Sequence, residues 1–236
     1  GNIYQVIVGG AAFNREVELF LQKIGFPITV GYGATECAPI ISYADWKEHR
    51  ATSCGLPAPR MEIRIDSPNP QEVVGEILAR GMNVMQGYYK NPEATAEALD
   101  EDGWLHTGDM GIIDADGSLF LRGRSKCMIL GPSGQNIYPE EIEAMLDVRP
   151  YFVESLVIED EGGLTALIFP DFDQGAKDGM NQKEFAKYIK STLPDINKDL
   201  PNYARLKKIE VMSEAFERTP KKSIKRYLYQ RIKKTS

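Results

Sequence analysis

The chain has 236 residues, enough for one large core or two smaller ones, and its 42% hydrophobic and 26% charged residues are an ordinary balance for a globular protein. Its net charge of −6 argues against a nucleic-acid binder, and no apolar run of about 18 residues offers a membrane-spanning helix. Three cysteines, Cys37, Cys54 and Cys127, lack metal-ligand spacing and cannot all pair, so they read as reduced thiols of a cytoplasmic protein.

In chain order, Ile3–Val8 reads as a buried-type strand that opens with no cap, lead-in or initiating methionine, so we expect a truncated chain. Asn14 can cap a helix carrying Val17, Leu21 and Ile24 on one face, Gly25 ends it, and Ile28–Val30 is a second short strand. From Gly55 to Arg122, turn residues recur every 8–12 positions between short strands (61–65, 76–79, 112–113, 119–121), with a hairpin signal at Asp114–Gly117. A helix capped by Asn91 and opened by Pro92 interrupts them. Such spacing predicts a small barrel or sandwich.

The pattern changes at Gly123-Arg124. A strand (127–130), a glycine loop (131–134), a helix from Pro139 with Ile142 and Leu146 inward, and a hairpin (153–158 with 164–169) follow. Then come a helix with Phe185, Ile189 and Leu193 on one stripe, a strand at 209–211 and a basic helix through Ile224, Leu228 and Ile232. The expected organisation is mixed α/β and α+β: residues 1–123 as the last part of a large domain (sheet strands plus a small β-barrel), and 124–236 as a small α+β domain.

Four segments carry chemistry. Gly31-Tyr32-Gly33-Ala34-Thr35-Glu36 follows a strand; its glycines admit close backbone approach, and Glu36 offers a hard carboxylate suited to Mg²⁺. A glycine-rich turn ending in Glu serves structure equally well. Trp104-Leu105-His106-Thr107-Gly108-Asp109 places a carboxylate after a tight turn, where it could accept ribose hydroxyls or cap its own turn. Arg124 is a permanently charged donor fork at the domain boundary, suited to phosphate or ribose, or simply solvated. Thr219–Arg226 holds lysines that could neutralise charge on a phosphoryl group, or form a solvated basic face. His49 and His106 stand alone and read as neither ligand nor base, while Met82, Met85, Tyr88 and Tyr89 read as barrel packing.

Six segments in register resemble the serial motifs of adenylate-forming (acyl-activating) enzymes: 9–12, 31–36, 75–95, 104–109, 123–143 and 200–203. Within that superfamily they are most similar to long-chain fatty-acyl-CoA synthetases, over nearly the whole chain. The resemblance implies an ATP-dependent ligase. A fatty acid attacks the α-phosphate of ATP to give acyl-adenylate and pyrophosphate, and coenzyme A then displaces AMP. By motif match, Gly10, Ala11 and Ala12 line the adenine pocket, Tyr32 stacks on the base with Gly33 beside it, and Thr35 touches the α-phosphate. Glu36 holds Mg²⁺, Asp109 accepts the ribose hydroxyls with Arg124 nearby, Lys126 is the hinge of a swinging small domain, and Gly134 borders the pantetheine channel.

Two departures stand out. The family's phosphate loop lies upstream and is absent, so the expectation is no adenylation by this polypeptide alone. The family's Thr-Pro-x-Gly-Lys-Ile-x-Arg aligns Lys222 with the glycine and Ser223 with the catalytic lysine; Lys222 is the best substitute. Competing expectations are a ligase acting on an acyl carrier protein or an aryl or amino acid, and a non-catalytic binding fragment. Residues 221–234, with seven basic side chains in fourteen, leave room for a helix lying on a membrane surface. Exposed sheet edges leave room for a dimer.

Overall fold

The computed structural model describes residues 2–10, 13–131, 134–160, 162–219 and 223–230. The chain divides into two units, Gly1–Lys126 and Cys127–Ser236.

In the first unit the elements are β1 (Val6–Val8), α1 (Arg15–Lys23), β2 (Ile28–Val30), β3 (Tyr32–Gly33), β4 (Ile40–Tyr43), β5 (Leu56–Pro57), β6 (Met61–Asp66), β7 (Gly75–Gly81), α2 (Pro92–Ala98), β8 (Leu105–Ile113) and β9 (Leu119–Arg124). Asn14 Oδ1 accepts from the Glu16 and Val17 amides, fixing the start of α1. At its end Gly25 N donates to Gln22 O and Phe26 N to Leu21 O, a paired closure of the last carbonyls. β1 and β2 run parallel, with Val6 opposite Ile28 and Val8 opposite Val30. The strand is shorter than the apolar run from Ile3 suggests, because pairing with β2 begins only at Val6. The apolar stripe of α1 also lies differently: Val17, Phe20 and Ile24 are exposed, whereas Glu18 is buried. Glu18 Oε1 accepts from Thr52 N at 2.9 Å and meets His49 Nε2 at 2.8 Å, so a satisfied polar contact takes the inward position.

The expected small barrel does not form among the described residues. β6 to β9 make an open antiparallel meander in sequential order, and β3-β4-β5 form a separate three-stranded sheet. Four strands fall short of the roughly five from which the smallest barrels are built. The meander still buries one face: Met61, Ile65, Ile77, Ala79, Leu105 and Leu119 share a core with Tyr32, Cys37 and Ile41. That shared core seats β3 beside β8, which matters for the site. Met82 and Tyr89 are exposed rather than packed.

In the second unit the elements are β10 (Ile129–Leu130), β11 (Asn136–Ile137), α3 (Pro139–Leu146), β12 (Phe152–Asp160), β13 (Gly163–Pro170), α4 (Phe172–Lys177), α5 (Gln182–Ser191), α6 (Leu193–Asp199) and β14 (Leu206–Val211). β13 pairs antiparallel with β12 and parallel with β14. The near-continuous apolar strands are covered on both faces. Val157, Ala166 and Ile168 pack with Ile142, Leu146, Phe185 and Ile189, and Leu156, Ile158 and Leu167 pack with Phe216. The apolar stripe ending at Leu193 belongs to two helices, broken at Thr192, with Pro194 opening the second.

The expected basic helix through Ile224 is not formed over residues 223–230. Ile224 instead bridges Arg218 in antiparallel fashion and packs against the Phe216 cluster, leaving only a single 3₁₀ turn at Arg226–Leu228. The basic side chains there are drawn to carboxylates: Lys225 Nζ lies 3.1 Å from Glu217 Oε2, and Arg226 pairs with Glu143. These two carboxylates therefore outcompete helical periodicity. No helix among the described residues is long and apolar enough to cross a membrane.

Candidate functional site

Parallel strands in open sheets present ligands at their carboxyl ends. Here the segment after β1 and the turn after β2 leave side by side, with Gly31 N donating to Val8 O at 2.8 Å. Gly10 follows at a φ of +87°, and Ala11 and Ala12 lie outside the described residues.

Tyr32 opens β3. The residue is 7% exposed, and its hydroxyl donates to Asp109 Oδ2 at 2.6 Å across 77 residues of sequence. Burial first, and then the charge of Asp109, push the Tyr32 phenol far above its ordinary range, so it remains a protonated donor. Gly33 is required by packing: a Cβ there would stand 2.2 Å from Pro39 O. That carbonyl accepts from Ala34 N at 2.8 Å and closes the turn. Thr35 and Glu36 sit in the 3₁₀ turn Thr35–Cys37. Glu36 O accepts from Met85 N at 2.7 Å, and Glu36 Oε1 accepts from Tyr88 Oη at 2.9 Å. The bond to Glu36 raises the Tyr88 phenol above its ordinary value. Tyr88 therefore serves this carboxylate and not a barrel interior.

Asp109 is placed by β8 and paired in register with Arg124 of β9. Arg124 Nε lies 3.0 Å from Asp109 Oδ1; the Asp109 side chain is 14% exposed and that of Arg124 is 69% exposed. One oxygen of the carboxylate is thus held by a buried phenol and the other by a guanidinium whose remaining donors face solvent. The contrast in exposure leaves the Asp109 carboxylate held within the protein and most of the Arg124 side chain facing solvent.

Sequence reasoning named Tyr32, Asp109 and Arg124, and the structure brings these three together. It read Tyr88 as barrel packing and gave no site role to Glu76, whose carboxylate accepts from Gly108 N at 2.9 Å. Neither histidine is alone: His49 meets Glu18 as described, and His106 Nδ1 lies 3.0 Å from Glu76 Oε2. The missing signal was cross-strand register, which no spacing within one segment reveals. Among the described residues no group of three His, Cys, Asp or Glu is arranged to hold a metal ion. Glu36 is a lone hard carboxylate, which fits Mg²⁺ held mainly by substrate phosphates and water.

Lys126 is the last residue of the first unit. Gly134 closes the turn between β10 and β11, its amide donating to Gly131 O at 2.9 Å. Lys222 lies outside the described residues; the flanking arms are joined by Thr219 N donating to Ser223 O at 2.8 Å.

Two family matches cover most of the chain: AMP-binding enzyme over residues 1–89, and AMP-binding enzyme C-terminal domain over 128–233. The 2-methylpropanoate–CoA ligase CCL4 of Humulus lupulus is 31% identical over 212 residues, 80% of this chain and 38% of that protein. A long-chain-fatty-acid–CoA ligase of Salmonella typhimurium is 42% identical over 135 residues, 55% of this chain and 24% of that protein. Among solved structures, the o-succinylbenzoate CoA synthetase of Bacillus subtilis with its acyl-adenylate intermediate matches at a TM-score of 0.80 and 26% identity. The match covers 96% of this chain and 46% of that one, and the same synthetase is also known with ATP and a magnesium ion. The chain thus spans less than half the length of each.

Proposed function

The chain belongs to the AMP-binding enzyme family of adenylate-forming acyl- and aryl-CoA ligases, and from that premise we propose that it supplies the nucleotide-gripping and carboxyl-terminal parts of an ATP-dependent fatty acid–CoA ligase. The observation that carries this reading is the Tyr32–Asp109–Arg124 constellation. A carboxylate with both oxygens pre-oriented is built to accept two vicinal hydroxyls, and the ribose of AMP presents such a pair.

In this reading Asp109 fixes the ribose, Tyr32 holds Asp109 and borders the base with Gly10, Ala11 and Ala12, and Arg124 reaches the ribose or the phosphate side. Thr35 and Glu36 serve the α-phosphate. Glu36 would hold Mg²⁺, which supplies Lewis-acid stabilisation of the charge that builds on the phosphoryl group. The fatty-acid carboxylate attacks the α-phosphorus and pyrophosphate leaves; the coenzyme A thiolate then attacks the acyl carbon and AMP leaves. Lys222 would neutralise charge in the first step. Lys126 would be the pivot between the two steps, and Gly134 would line the path of coenzyme A.

The fatty-acid assignment draws on the identity with the Salmonella ligase. A screen of the complete enzyme with ATP, coenzyme A and carboxylates from acetate to oleate tests it. Turnover peaking at long chains supports the reading. A preference for aryl acids, or for a holo acyl carrier protein over free coenzyme A, replaces it. No AMP or ATP binding at all leaves a non-catalytic module.

A further inference from the structure

β7 and β8 do not pair evenly. Glu76 faces Met110 and Leu78 faces His106, so the single residue Ile77 stands opposite three, Thr107, Gly108 and Asp109. β8 carries two extra residues at the point where it presents Asp109. A bulge of this kind re-aims side chains, but it strips ladder bonds from the backbone that makes it. Side chains replace those bonds here. Thr107 Oγ1 donates to Ile77 O at 2.7 Å and accepts from Asp109 N at 3.1 Å. Glu76 Oε1 accepts from Gly108 N at 2.9 Å, while its other oxygen meets His106 Nδ1 at 3.0 Å. Gly108 has a φ of +69°, a left-handed conformation that glycine tolerates best, and Glu76 receives the amide which that conformation turns off the ladder.

We propose that Glu76 is a positioning residue for the nucleotide site: by accepting Gly108 N–H it holds the β8 bulge in the shape that aims Asp109 at Tyr32, Arg124 and the ribose. This rests on the ribose role proposed for Asp109. Glu76 touches no ligand in this scheme. His106 is the companion that orients the Glu76 carboxylate, with Asp100 Oδ2 4.0 Å from its Nε2 on the far side.

The test compares the chain with Glu76→Ala and Glu76→Gln, titrating AMP and 2′,3′-dideoxy-AMP by calorimetry and following exchange of the Gly108 amide by NMR. The Gln side chain can still accept from Gly108 N and donate to His106 Nδ1, so it should rescue. The expected result is AMP bound at least tenfold more weakly by Glu76→Ala, with the preference for AMP over the dideoxy analogue collapsing towards unity and Gly108 exchange accelerating. Glu76→Gln should stay within about threefold of wild type in each readout, since a neutral hydrogen bond replaces a charge-assisted one. If Glu76→Ala weakens both nucleotides equally and keeps the preference, Glu76 is merely structural and the proposal is overturned. Unchanged Gly108 exchange in Glu76→Ala overturns it whatever AMP does. A wild-type chain that binds the two nucleotides alike refutes the ribose role of Asp109 instead, and Gly108 exchange then still decides whether Glu76 holds the bulge.

Discussion

Asp109 and Arg124 are directly opposed across β8 and β9, and the side-chain ion pair at 3.0 Å follows from that register. Cross-strand neighbours on one face lie close enough for their side chains to meet, so the pair is set by the backbone. Replacing Asp109 with Ala removes the only acceptor pair in the constellation. AMP affinity should fall by about 100-fold or more, the loss of two charge-assisted hydrogen bonds at about 1.5 kcal/mol or more each. Arg124→Lys keeps the charge but loses the planar fork, and should cost less than tenfold. Calorimetric titration of AMP reads both; undiminished binding by Asp109→Ala would remove Asp109 from the site.

Tyr32 gives a second, separable expectation. Tyr32→Phe keeps the buried ring and deletes the donor to Asp109, so the loss should be about 1 kcal/mol of stability, with AMP binding weakened less than by Asp109→Ala. Because burial and Asp109 both raise its phenol, Tyr32 should not ionise with the exposed tyrosines. An absorbance titration of phenolate up to pH 11 should count the same number of ionising phenols in wild type and in Tyr32→Phe, because Tyr32 contributes none in that range; one group fewer in Tyr32→Phe would show that Tyr32 ionises with the rest.

Much of this was legible in sequence, and the reason differs by residue. Asn14, Asn91 and Pro139 act locally, so cap chemistry read from neighbours found the helix starts. Tyr32, Asp109 and Arg124 were legible as motif members, although their mutual contact depends on a core shared by β3 and β8. Glu76 and Tyr88 were not, since their roles arise only from pairing across strands or loops. The basic helix expected near Ile224 failed for the same reason: Glu143 and Glu217 lie far away or outside its period, and their pull decides the local backbone. The barrel failed because strand spacing reports hairpins but not closure.

Gly33 tests how tightly the turn after β3 is built. A methyl group there would sit 2.2 Å from Pro39 O and 2.9 Å from Pro39 C, both backbone atoms that cannot swing aside. Gly33→Ala should destabilise the first unit by about 1–3 kcal/mol, the usual range for overpacking. Urea denaturation followed at Trp46 and Trp104 reads it. A variant as stable as wild type would show that the turn relaxes freely.

Glu143 carries the clearest pH dependence. It is buried on α3, Oε1 accepting from Val157 N at 2.6 Å and Oε2 pairing with Arg226. Burial pushes its carboxyl up to about 7, against the opposing pull of Arg226 and the Val157 amide. A folded state that holds a proton more tightly than the unfolded chain is favoured where that proton is bound. Between the ordinary glutamate value of 4.5 and about 7 the native state keeps a proton that the unfolded chain has lost, so stability falls as pH rises through this window and levels off above it. The change should be on the order of 1–3 kcal/mol. Glu143→Gln, which keeps an acceptor for Val157 N but cannot ionise, should flatten that slope in urea melts of the second unit at pH 5, 6, 7 and 8. Arg226→Ala should steepen it, because the ionised carboxylate then loses its partner while staying buried. Identical slopes in all three proteins would mean that Glu143 is ionised throughout this range and that its contact with Arg226, not its burial, sets its charge.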